Sequence, residues 1–106
     1  MFIAWTTVSE RADAERIAGE TVARGLAACV QIEGPVVSHY RWQGKIERSE
    51  EYRLMFKCLP ERVAELEAYV LAHHPYDTPE WIAVRAERVG EKYLSWAGAT
   101  STNPPL

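Results

Sequence analysis

Cysteine is scarce in this 106-residue chain: Cys29 and Cys58 stand far apart, with no CxxC pair and no cysteine–histidine ligand spacing. Nothing here looks like a disulfide framework, and both thiols are expected to behave as small buried hydrophobes. Positive charge is also short. Twelve Lys and Arg stand against 15 Asp and Glu, a formal net charge of −3, so the basic footprint that nucleic-acid phosphates require is missing. No apolar run approaches the ~18 residues of a membrane span. The first ten residues, MFIAWTTVSE, lack the basic n-region of a secretory signal. A cytoplasmic protein with neither nucleic acid nor membrane as partner is the expectation.

Catalytic signatures are missing as well. Gly34 and Gly44 are isolated, so no glycine-rich phosphate loop forms, and neither GxSxG nor HExxH occurs. The chain is expected to be no enzyme and to need no organic cofactor.

What is present is globular: 47% hydrophobic and 25% charged residues fit one packed domain rather than a disordered chain. Residues 2–8, FIAWTTV, are β-branched and aromatic and predict a strand. Ser9 suits an N-cap, and Ala14, Ile17, Ala18, Thr21 and Val22 recur at helical spacing up to Arg24-Gly25. Residues 28–42 and 45–59 have strand composition around a Gln43-Gly44 turn. Pro60 opens a second helix with Val63, Leu66, Tyr69 and Val70 on its apolar face, and Pro75 stops it by His74. A strand over 80–87, a short helix over 91–98 and a disordered tail over 99–106 complete a single domain over 1–98. The β-α-β-β-α-β order with one extra helix predicts an α+β, ferredoxin-like sandwich with a long central hairpin.

That hairpin is too long for its domain. Fifteen extended residues span about 50 Å, whereas a domain of this size is roughly 35 Å across. The hairpin must bend at Glu33-Gly34-Pro35 or project, and a projecting tip carrying Tyr40 and Trp42 needs cover. An oligomer paired through the hairpin follows.

The stretch AHHPYDTPEWI, residues 72–82, holds the chemistry-bearing candidates. Neighbouring helical residues point about 100° apart, but Pro75 pushes His74 out of the helix, so His73 and His74 could converge on one cation. The alternative is a stiff corner in which His73 sits at a helix C-terminus and His74 bonds loop backbone. Asp77 could cap the turn. Lys45 and Glu47 share a strand face and could pair. Four tryptophans suit packing better than base stacking, because the acidic ERSEEY in the third strand would repel RNA.

Four motifs, GLAACVQI (25–32), YRWQGKIE (40–47), HHPYDTPEWI (73–82) and YLSW (93–96), resemble the divalent-cation tolerance, or CutA, family. The resemblance implies a homotrimer built through the hairpin, with copper or another divalent cation, zinc included, bound weakly. It implies His73 and His74 as metal ligands, without the family cysteine, because Trp5 stands where that thiol is expected. It places a subunit cleft near Tyr40, Trp42, Lys45, Glu47, Tyr76 and Glu80. The architecture also resembles the trimeric PII signal transducers, which leaves open a small anionic ligand held through Lys45, or a protein partner.

Overall fold

The structure, a computed structural model, describes residues 1–102. In chain order it contains β1 (Phe2–Val8), α1 (Arg11–Ala23), β2 (Cys29–Trp42), β3 (Lys45–Cys58), a 3-10 turn (Pro60–Arg62), α2 (Val63–His73), β4 (Ile82–Arg85) and α3 (Glu91–Thr102). The sheet order β2-β3-β1-β4 is antiparallel throughout, which is the ferredoxin-like arrangement.

Alternation decides what each side of the sheet meets. Ala4 and Val8 of β1 and Leu54 and Phe56 of β3 point to one side and are fully buried against Ala14 and Ile17 of α1 and Leu66 and Val70 of α2. Thr21 joins this core because its hydroxyl donates to the Ile17 carbonyl at 2.8 Å, which satisfies it internally. Ile3, Trp5, Met55, Ile82 and Val84 point to the other side through the registers Trp5↔Met55, Trp5↔Ile82 and Ile3↔Val84. Ile82 and Val84 are 54% and 44% exposed there.

The hairpin both bends and projects. Gln43 and Gly44 have positive φ (50° and 79°), the backbone of a tight two-residue hairpin turn. Between Glu33 and Val36 the register slips: Glu33 faces Arg53, but Val36 faces Glu51. One extra residue on β2 makes a bulge. Gly34 sits there at φ 141°, and a Cβ at that position would lie 2.9 Å from the Glu51 carbonyl oxygen. The molecule measures 45 × 31 × 21 Å.

Several boundaries differ from the sequence pattern. Glu10, not Ser9, occupies the N-cap of α1 and makes no side-chain capping bond. Val22 is exposed although it shares the apolar spacing. Pro60 begins the 3-10 turn rather than α2 itself. The fourth strand is only Ile82–Arg85, because Thr6 Oγ1 donates to the Glu80 carbonyl at 2.7 Å and takes Glu80 out of the ladder. Helix α3 runs past Gly98 to Thr102, since no proline interrupts it before Pro104. The rest of the tail predicted to be disordered lies outside the described residues. No helix among the described residues is long and apolar enough to cross a membrane.

Candidate functional site

The corner between α2 and β4 begins where Pro75 forces its predecessor out of the helix: His74 is extended (φ −76°, ψ 139°). Its ring then turns back into the chain. The Tyr76 amide N–H donates to His74 Nδ1 at 3.0 Å, so Nε2 carries the proton and donates to the Thr7 carbonyl at 2.9 Å. Both nitrogens are used, and both bonds suit the neutral ring. Burial accordingly lowers the His74 pKa, partly opposed by the Thr7 carbonyl. His74 is thus the pin that holds this corner against the end of β1, and no side-chain bond from Asp77 is needed to close it.

His73 has the opposite situation. It is exposed at the end of α2, its ring stacks on Tyr69 at 4.0 Å, and Nδ1 donates to the Tyr69 carbonyl at 2.8 Å. That leaves its Nε2 edge towards solvent. The two imidazoles therefore do not present two free nitrogens to one ion. Among the described residues no group of three or more His, Cys, Asp or Glu side chains could hold a metal ion. Cys58 is buried, which pushes its thiol up to about 11, so no ready thiolate joins them. The donor set does not fit a built-in metal centre.

Beside the corner lies a cleft of about 620 Å³. The β2 bulge builds one wall. Val36 faces Glu51, so Ser38, Tyr40 and Trp42 share the side of Glu51, where an unbroken strand would have placed the opposite parity; His39, between them, also reaches the lining. The other wall is Tyr76, Asp77, Thr78 and Glu80, with Thr7 at the base. Glu51 is only 8% exposed, and the Tyr76 hydroxyl donates to its Oε2 at 2.8 Å. Burial first, and that bond second, push the Tyr76 phenol up to about 12.

Of the six residues expected at a cleft, Tyr40, Trp42, Tyr76 and Glu80 line it. Lys45 and Glu47 do not, although they are the cross-strand partners of Trp42 and Tyr40. No Lys–Glu pair forms between them among the described residues; the hairpin ion pair is Arg53 with Glu33, where Nε and Oε1 are 2.7 Å apart. The sequence pattern missed Glu51, which with Glu47 and Glu50 reads as part of a solvated or intersubunit charge ladder. Only the corner folding over it reveals that it is buried.

The family described as CutA1 divalent ion tolerance protein matches residues 2–100. The divalent-cation tolerance protein CutA of Yersinia pestis (strain Pestoides F) is 35% identical over 94 residues, covering 89% of this chain and 79% of that protein. CutA1 of Pyrococcus horikoshii superposes with a TM-score of 0.91 at 29% identity, covering 95% of this chain and 98% of that one. The CutA of Archaeoglobus fulgidus, described as a periplasmic divalent cation tolerance protein, gives 0.90 at 36% identity, covering 95% and 99%. Sequence and fold agree over nearly the whole length: the chain belongs to the CutA1 divalent ion tolerance protein family.

Proposed function

We propose that this protein is a non-enzymatic homotrimer that serves divalent-cation tolerance in the cytoplasm, where its two unpaired thiols stay reduced. Copper or zinc is its effector, weakly held and exchangeable. The observation that carries the reading is the side of the sheet opposite α1 and α2: Ile82 and Val84 are apolar and about half exposed there, and β4 ends the sheet with an open edge. Burying that surface in a closed ring of identical chains removes both liabilities. The cation assignment rests on the family and on the exposed imidazole edge of His73. The sequence alone favours His74 as the stronger ligand; its two internal hydrogen bonds transfer that role to His73.

Titrating Cu²⁺ and Zn²⁺ into metal-stripped protein by calorimetry tests this, with His73→Ala alongside. Saturable heat that disappears in His73→Ala supports the reading; equal heats in both proteins contradict it.

One observation favours a second reading, a PII-like signalling module: the cleft is large enough for a small ligand, since ligand pockets run about 300–1,000 Å³. Its lining residues include no lysine or arginine, which removes the basis for an anionic ligand held through Lys45.

A further inference from the structure

We propose that the cleft beneath the hairpin binds an organic cation, an ammonium or guanidinium carried on an apolar body. The inference rests on the small-ligand reading of that cleft and is independent of the metal reading. Three carboxylates, Glu51, Asp77 and Glu80, line the space; His39 is the one basic side chain in its lining, and no lysine or arginine joins it. Tyr40, Trp42 and Tyr76 supply aromatic walls, with Tyr40 and Trp42 about half exposed in the single chain. Aromatic faces attract cations through their quadrupole, and tryptophan does so most strongly.

Glu51 decides the sign of the ligand. It is almost wholly buried, yet among the described residues no Lys, Arg or His forms an ion pair with it. A buried carboxylate is costly without a partner charge. The Tyr76 hydroxyl donates to Oε2, and with its phenol pushed up to about 12 it stays a neutral donor at physiological pH. A cation entering the cleft supplies the missing partner. An anion would be repelled by all three acids.

The spacing of the acids decides the size. A bare divalent ion needs several hard ligands converging within coordination distance. No such group exists among the described residues. Dispersed carboxylates around aromatic walls suit a larger cation, with its charge near Glu51 and its hydrocarbon against Tyr40 and Trp42. The bulge at Gly34 is what makes this possible, because it places the aromatics on the same side as the acid.

The test is calorimetry on the full, assembled protein with chelator present, using 2-phenylethylammonium and 3-phenylpropionate, probes with similar apolar bodies and opposite charge. Saturable binding of the ammonium and none of the carboxylate is expected. Glu51→Gln, which keeps the Tyr76 bond but removes the charge, should weaken the ammonium by roughly tenfold or more. Lys45→Gln should leave it unchanged. If Glu51→Gln does not fold, Glu80→Gln takes its place, with about a threefold loss expected at that exposed acid. Preference for the carboxylate, or undiminished ammonium binding in the charge-removing variant, overturns the cation while keeping a small-ligand cleft. Binding of neither probe overturns both, and then the cleft is filled by a neighbouring copy.

Discussion

The two sides of one sheet have been put to different uses, though their strands have similar composition. On the helix side, Ala4, Val8, Leu54 and Phe56 are completely buried within the single chain. On the other side, Ile3, Trp5, Met55, Ile82 and Val84 form an apolar surface that neither α1 nor α2 covers. The first side makes the protomer fold. The second is left unfinished by folding, and the hairpin extends the same surface outward to Tyr40 and Trp42. Lys57 and Arg53, opposite Ile3 and Thr7, carry charge on this side, but Ile82 and Val84 on the edge strand do not, so the contrast separates residues that hold the chain together from residues kept for another chain or a ligand.

The contrast can be broken from either side. The largest effect on protomer stability belongs to the helix side: Leu54→Ala should cost about 2–5 kcal/mol in chemical denaturation. Next comes the bulge. Gly34→Ala puts a Cβ against the Glu51 carbonyl oxygen at a φ that disfavours side chains, and should cost about 1–3 kcal/mol. It should also disturb the cleft, because the parity of Ser38, Tyr40 and Trp42 depends on that bulge.

A smaller effect belongs to the corner. His74→Ala removes the bonds to Thr7 and Tyr76 and should cost on the order of 1 kcal/mol. It also has a pH signature. The folded state lowers the His74 pKa beneath its ordinary value of 6.5, so the unfolded chain takes up the proton first. Stability from this group is fully present above pH 6.5 and is lost as pH falls through the folded pKa. Melting temperature followed down through that window should therefore fall less in His74→Ala than in the parent. The smallest change in the protomer is expected on the open side: Ile82→Glu should leave the far-UV spectrum unchanged and shift intrinsic stability by about 0.5 kcal/mol or less. Its effect should appear in assembly instead.

Much of this architecture was legible in the residues. The Gln43-Gly44 turn and the Gly34-Pro35 bend follow from local chemistry and are found, and the apolar alternation of Ile46, Tyr52, Leu54, Phe56 and Cys58 holds from Tyr52 onward, whereas Ile46, outside the packed core, is 76% exposed. The length of the hairpin arms was enough to require the bend and the projection. The site was less legible because it depends on where a loop lands. Nothing near His74 in sequence shows that Thr7, on another element, accepts its proton and so removes it as a ligand. Glu51 reads in sequence as one of several acids in a solvated or intersubunit charge ladder between Lys45 and Arg53, and only the tertiary placement of Tyr76 over it shows it buried. Lys45 failed for a related reason: a shared strand side does not ensure a shared cavity once the hairpin extends beyond the corner.

The measurement that bears most directly on the central claim is sedimentation equilibrium of the full chain at micromolar concentration, beside Ile82→Glu. The account predicts a parent species with three times the 12.0 kDa protomer mass and a variant that sediments as a folded protomer. A parent that sediments at 12.0 kDa would contradict it, and the open side of the sheet would need another explanation.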